Sequence, residues 1–192
     1  MRFIVAVLLF FVQTSPLPPP FPREGATKLL ENDRVAVWDV AWLRQAYPVH
    51  RHIYDYSGVY YTSGDRVVVS EGGTRSPAKT VAWDTFFFRR GVTHSEEGTS
   101  DEPLRAVFVE FKEPSALGAT DAQYAFGRKI RESERVVIWE AGPAASPHSH
   151  ARDAVVASFV NGKPRINFVP RGTAHKDDQS SGAERTFIFE LK

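Results

Sequence analysis

The sequence predicts an all-β protein built from two similar halves, and three observations point there. Strand-like runs at residues 34–38, 57–62, 66–70, 80–88 and 105–111 are short and separated by Gly, Ser, Asp and Pro, the punctuation of a sandwich or barrel. No segment before residue 115 sustains a helical period. The second half then repeats the first. Asn32-Asp33-Arg34-Val35-Ala36-Val37-Trp38-Asp39 matches Ser133-Glu134-Arg135-Val136-Val137-Ile138-Trp139-Glu140. Each half closes on a similar strand, Ala106-Val107-Phe108-Val109-Glu110-Phe111-Lys112 against Arg185-Thr186-Phe187-Ile188-Phe189-Glu190-Leu191-Lys192. Internal duplication is the simplest explanation.

Taken in order, the chain opens on what reads as an export signal. Arg2 supplies a minimal positive start, and residues 3–12 form an apolar run. That run falls short of the ~20 residues a membrane-spanning helix needs, but it suits a signal core. Val12-Gln13-Thr14-Ser15 approximates a small-x-small cleavage site, and an uncleaved N-terminal anchor is the alternative. The expected location is therefore periplasmic or extracellular. Leu17-Pro18-Pro19-Pro20-Phe21-Pro22 reads as an extended spacer, so residues 1–23 form a signal-plus-spacer segment. The first folded unit is expected over 24–113 and a shorter second unit over 132–192. Between them, residues 114–131 contain Pro114, Gly118 and Gly127 and read as a linker with one short helix.

Composition narrows the chemistry. Of the 192 residues, 42% are hydrophobic and 12% aromatic, enough for a substantial core. A formal charge of +1 gives no electrostatic case for nucleic acid, and Arg89-Arg90 and Arg128-Lys129 are too short to form a basic footprint. The absence of cysteine excludes disulfides, thiolate metal sites and cysteine nucleophiles. A metal would have to be held by nitrogen and oxygen. There is no Gly-x-Ser-x-Gly elbow, phosphate loop or dinucleotide fingerprint.

The six histidines carry the chemical signal. Pro48-Val49-His50-Arg51-His52-Ile53-Tyr54-Asp55 and Pro147-His148-Ser149-His150-Ala151-Arg152-Asp153 both contain His-x-His-x-x-Asp. Each is followed by a third histidine three residues after a glycine, in Gly91-Val92-Thr93-His94 and Gly172-Thr173-Ala174-His175. Residues two apart on a strand point the same way, so His50 and His52 project together, as do His148 and His150. A third imidazole from another strand completes a set able to hold Zn, Fe, Mn, Co or Ni with positions left open. Imidazoles bonded only to one another or to water are the alternative. Between the second and third histidines lie 41 residues in the first half and 24 in the second, so the second has lost a hairpin or holds a tighter one. Of the aromatic cluster Tyr54, Tyr56, Tyr60, Tyr61, Phe86 and Phe88, most reads as core, with Tyr54, Tyr56 and Phe88 candidates to line a binding pocket. Glu96-Glu97 and Asp177-Asp178 read as exposed loop charges.

These motifs resemble the cupin superfamily, and their repetition resembles a bicupin. Cupin motifs run Gly-x5-His-x-His-x3,4-Glu and Gly-x5-Pro-x-Gly-x2-His. Pro170-Arg171-Gly172-Thr173-Ala174-His175 reproduces the end of the second, whereas Arg89-Arg90-Gly91-Val92-Thr93-His94 has Arg where Pro is usual. The resemblance covers residues 31–192 apart from the linker. It implies two tandem cupin-type antiparallel β-barrels, each a double-stranded β-helix. The cupin glutamate is missing from both halves, where Tyr56 or Ser57 and Ala154 or Val155 stand instead. Asp55 and Asp153 lie one residue earlier, on the wrong face unless a bulge re-aims them. They either complete a three-His, one-carboxylate shell, anchor a turn, or hydrogen-bond a histidine. The resemblance implies a divalent transition metal on His50, His52 and His94 and on His148, His150 and His175. The implied activity is that of a dioxygenase, isomerase, epimerase or decarboxylase acting on a small molecule. The alternative is a metal-free cupin binding a small ligand or sugar. Cupin relatives often form homodimers, though a fused pair of barrels can satisfy that interface within one chain.

Overall fold

The computed structural model describes residues 16–112, 127–142, 147–176 and 182–192, and none of these is helical. The first half supplies β1 (Ala26–Glu31), β2 (Val35–Trp42), β3 (His50–Arg51), β4 (Asp55–Tyr60), β5 (Gly64–Ser70), β6 (Arg75–Thr80), β7 (Thr85–Phe88), β8 (Thr93–Gly98) and β9 (Leu104–Phe111). The second supplies β10 (Gly127–Glu132), β11 (Val136–Ala141), β12 (Ala154–Val160), β13 (Lys163–Val169) and β14 (Arg185–Leu191). Strands β1-β2-β9-β4-β7 form one five-stranded sheet, faced within the first half by the four-stranded sheet β3-β8-β5-β6. Strands β10-β11-β14-β12-β13 repeat the five-stranded order. The likeness extends to irregularities: the β1–β2 register slips between Lys28 and Leu30, and the β10–β11 register between Lys129 and Arg131.

Length explains the main difference between the halves. The β5–β6 hairpin, Gly64–Thr80, is 17 residues long, the difference between the 41 and 24 residues that separate the second and third histidines. Without that hairpin, the described part of the second half has only the His148–His175 bridge opposite its five-stranded sheet. Among the described residues the second barrel is therefore open on one side.

Both faces of the first five-stranded sheet are buried, which is why β2 and β9 are nearly continuous apolar runs rather than alternating ones. Ala36, Trp38, Val40 and Trp42 pack inside the first barrel with Ala106 and Phe108. The alternate residues Val35, Val37, Val107, Val109 and Phe111 instead join Val136, Ile138, Phe187, Phe189 and Leu191 in a core shared by the two halves. Two reciprocal ion pairs flank this core. Arg34 reaches Asp153 at 2.7 Å, and Arg135 reaches Asp55 at 3.5 Å.

Three expectations need correcting. Residues 127–131, read as linker, form most of β10, because a lone β11 edge would leave its backbone groups unpaired. The remaining linker residues, 114–126, lie outside the described residues, as do residue 113, the signal run 1–15 and the Asp177-Asp178 pair. The 80–88 run is two strands, with a turn at Trp83, whose φ is 75°. The proline segment is no free spacer: Arg51 N–H donates to the Pro18 carbonyl at 3.0 Å, and Phe21 stacks on Trp38 at 5.0 Å. An aromatic at position 21 gains more by entering the barrel than by staying in water.

Gly58 marks the tightest crossing in this packing. A Cβ there would lie 2.2 Å from the Val107 carbonyl oxygen and 2.5 Å from the Phe86 ring. Since a ladder carbonyl cannot move aside, Gly58→Ala is expected to cost ~1–3 kcal/mol, the usual scale of core overpacking. Urea denaturation would show it as a lower midpoint with unchanged slope.

Candidate metal centre

His50 on β3 lies directly opposite His94 on β8, and His52 follows just beyond the end of β3. A turn fixes this geometry. Gly91 N–H donates to the His52 carbonyl at 2.7 Å, and His52 N–H to that of Val92 at 2.9 Å. The equivalent bond from Gly172 N–H to the His150 carbonyl is 2.8 Å. Gly91 has φ 91° and Gly172 φ 74°, a left-handed backbone that favours glycine and explains the Gly-x-x-His spacing. The three imidazoles of each half converge, with one nitrogen of each within 4.8 Å of the others.

In the first cluster His52 Nε2 lies 3.3 Å from His94 Nε2, and His50 Nδ1 meets the Pro48 carbonyl at 3.1 Å. Burial holds all three imidazoles below their usual range, and the neighbouring His94 and His50 help push His52 down to about 2. They are thus neutral, the form that ligates a metal. The cluster lies in the wall of a cavity of about 270 Å³, whose lining includes Trp42, Tyr56, Phe86, Phe88 and Phe108.

The second cluster is built differently. His150 Nε2 lies 3.2 Å from His175 Nε2, while His150 Nδ1 meets Glu190 Oε1 at 2.9 Å. Trp139 Nε1 donates to the other Glu190 oxygen at 2.8 Å. A carboxylate on the outer imidazole nitrogen fixes the tautomer with Nε2 facing the cluster. Glu110 is the counterpart of Glu190 and takes the same tryptophan bond, from Trp38 Nε1 at 2.9 Å. In the first barrel, however, His52 Nδ1 is buried without a hydrogen-bond partner. The difference comes from one position. Ala154 pairs with Glu190 across β12–β14, and Tyr56 pairs with Glu110 across β4–β9. Tyr56 stacks on His52 with ring centroids 3.9 Å apart and fills the space that alanine leaves open. At the place of the missing cupin glutamate, one half carries a stacking ring and the other a gap through which a neighbouring strand supplies the carboxylate.

The sequence-derived aspartates are not brought to the imidazoles. Asp55 accepts from Arg90 N–H at 2.8 Å and Asp153 from Arg171 N–H at 2.9 Å, so each anchors a turn and pairs with the other half's arginine. A non-strand stretch separates each aspartate from the second histidine, and the aspartate faces the turn rather than the cluster. Among the pocket candidates, Tyr56 and Phe88 line the cavity, whereas Tyr54 lines a separate surface depression with Arg90 and Arg135. Glu96, read as a loop charge, is buried in the cavity wall. It accepts from Trp42 Nε1 at 2.8 Å and pairs with Arg66 at 3.2 Å. Its position two residues after His94 on β8 was the available signal, because period-2 alternation puts both on one face. Arg23 and Phe21 had no such signal; a proline-rich approach segment does not announce where it packs.

No family model and no curated protein matches the sequence. Among solved structures, 92% of the chain aligns with 97% of AerE from Microcystis aeruginosa, at TM-score 0.58 and 15% identity. A cupin domain from Bordetella pertussis Tohama I aligns over its whole length with 52% of the chain, at TM-score 0.43 and 23% identity. A cupin 2 conserved barrel domain protein from Leptotrichia buccalis aligns over 88% of its length with 87% of the chain, at TM-score 0.47 and 12% identity. The chain shares its all-β fold with AerE. Within that fold, both histidine clusters occupy matching places in their barrels, but among the described residues only the first barrel closes round its cluster. Near the second, His175 borders an open depression with Ser158, Arg165 and Lys176.

Proposed function

We propose that this is an exported metal-binding cupin that acts on a small organic molecule in the first barrel. The observation that carries the reading is the convergence of three neutral imidazoles, the buried His50 and His52 and the half-buried His94, on one wall of an aromatic cavity. That donor set suits Fe, Mn, Zn, Co or Ni. A bound ion would supply a Lewis acid, or a redox centre if iron, for a substrate oxygen. The chain's own residues do the rest. The aromatic wall excludes water and orients the substrate, and the Glu96–Arg66 pair holds the polar side of the cavity rigid. In the second barrel, His148, His150 and His175 form a further metal site, oriented by Glu190.

Elemental analysis of protein prepared without a histidine tag tests this. The expected result is up to two first-row divalent ions per chain, with His50→Ala and His148→Ala each losing the ion of its own barrel. Wild-type protein that carries no such ion and cannot be loaded with one would overturn the reading. A metal-free ligand-binding role is the second reading, and the unpartnered His52 Nδ1 favours it, because ligating histidines are normally held from outside. Export is tested by sequencing the mature N-terminus, which should begin near residues 15–23.

A further inference from the structure

The charges around the first cavity do not cancel. Arg66 has its charge matched: it pairs with Glu96, donates to the Tyr60 hydroxyl at 2.8 Å and to Thr80 Oγ1 at 3.1 Å, and only its Nε makes no hydrogen bond. Glu96 is satisfied as well, by Arg66 and Trp42. Arg23 differs. Its Nη1 reaches only the carbonyls of Glu24 and Ala41, at 3.1 and 3.3 Å, and no carboxylate pairs with it among the described residues. Its Nη2 is buried and has no hydrogen-bond partner. The guanidinium is held over the Tyr47 ring, 3.8 Å from the centroid, and cannot swing freely into solvent. A buried donor left unmet costs ~1–3 kcal/mol, and more when charged. Arg23 also lines the cavity, so an anion bound there would meet a charge that no carboxylate of the described residues matches.

We infer that the first cavity binds a small aromatic or similarly flat apolar monocarboxylate, with the Arg23 side chain taking the carboxylate and the aromatic wall taking the body. The occupant is a single charge because, among the described residues lining the cavity, only Arg23 is a cation with no carboxylate partner. It is flat and apolar because Phe21, Trp42, Tyr56, Phe86, Phe88 and Phe108 surround it. It is small because about 270 Å³, at ~30 Å³ per water, holds roughly nine waters' worth of matter. The former spacer thus becomes part of the binding site, with Phe21 and Arg23 closing one side. This inference rests on the cavity being a small-molecule site, as proposed above, but not on the metal.

The test is calorimetric titration of benzoate and, separately, benzamide into chelator-treated and metal-loaded protein. In both states benzoate is expected to bind about tenfold tighter or more, since charge-assisted bonds outweigh neutral ones by that order. Arg23→Gln should remove that advantage and leave benzamide unchanged. As a readout in wild-type protein, the Arg23 side-chain Nε–H resonance, assigned with Arg23→Lys, should shift on benzoate addition and stay in place with benzamide. Equal affinities for the two probes, failure of both to bind, benzoate binding unaffected by Arg23→Gln, or an unmoved Arg23 resonance would each overturn the inference. A benzoate preference confined to metal-loaded protein would also overturn it, by assigning the carboxylate to the ion. Metal content measured on the same samples reports separately on the metal reading.

Discussion

Glu190→Ala is expected to destabilise the protein by ~2–6 kcal/mol, at ~1–3 kcal/mol for each buried donor left without an acceptor. Glu190 is 1% exposed, and its two oxygens receive His150 Nδ1–H and Trp139 Nε1–H. Removing the carboxylate leaves both donors facing apolar surroundings, since Ala154 and Ile188 offer no replacement acceptor. For a chain of this size each kcal/mol lowers Tm by ~2–4 °C, so a fall on the order of 10 °C should be seen by circular dichroism. Metal bound to the second barrel should weaken too, because His150 loses the partner that fixes its tautomer; ~10–100-fold is the usual scale for such an outer partner. Glu110 is the internal control. Burial pushes its carboxyl above the usual range, opposed by the Trp38 hydrogen bond, and no histidine depends on it. Glu110→Gln keeps an acceptor for Trp38 and removes a poorly solvated charge, so its effect should be small. Equal losses in Glu190→Ala and Glu110→Gln would sink the argument that the two barrels differ at this point.

Much of this was legible in the sequence because it depends on short-range rules. Period-2 alternation places His50 with His52 and His148 with His150, and the left-handed glycines place His94 and His175 opposite them. The repeat of residues 32–39 at 133–140 anticipates two sheets with the same strand order and the same register slip. What was not legible depends on cross-strand partners. Nothing near Glu190 in sequence shows that it meets His150, which lies 40 residues away. The sequence puts Tyr56 or Ser57, and Ala154 or Val155, at the place of the cupin glutamate. That a tyrosine excludes Glu110 while an alanine admits Glu190 needs the β4–β9 and β12–β14 registers. The aspartates misled for the opposite reason. Repeated in both halves, they looked like ligands, and they recur because each half's turn and each half's contact with the other need the same carboxylate.

That contact makes the halves one folding unit, and Phe159→Ala should show it. Phe159 is fully buried, and its ring meets Tyr61 and Trp83 of the first half at 5.2 Å each, as well as Phe187 of its own half at 6.2 Å. Truncating a buried phenylalanine typically costs ~3–5 kcal/mol through lost transfer energy and the cavity left behind. Against a domain stability of ~5–15 kcal/mol that is a large share. The residues around it come from both five-stranded sheets, and those sheets also exchange the Arg34–Asp153 and Arg135–Asp55 pairs. Loosening the core at Phe159 therefore removes support from β4 and the Trp83 turn as well as from β12 and β14. In chemical denaturation a single transition should move to lower denaturant with its slope preserved, whether followed by far-ultraviolet circular dichroism or by tryptophan fluorescence. Two transitions, with only one displaced by the substitution, would mean that the shared core does not couple the barrels. The exposed edge of the second barrel would then have to be stabilised from within its own half, where the described residues provide one sheet and a single histidine bridge.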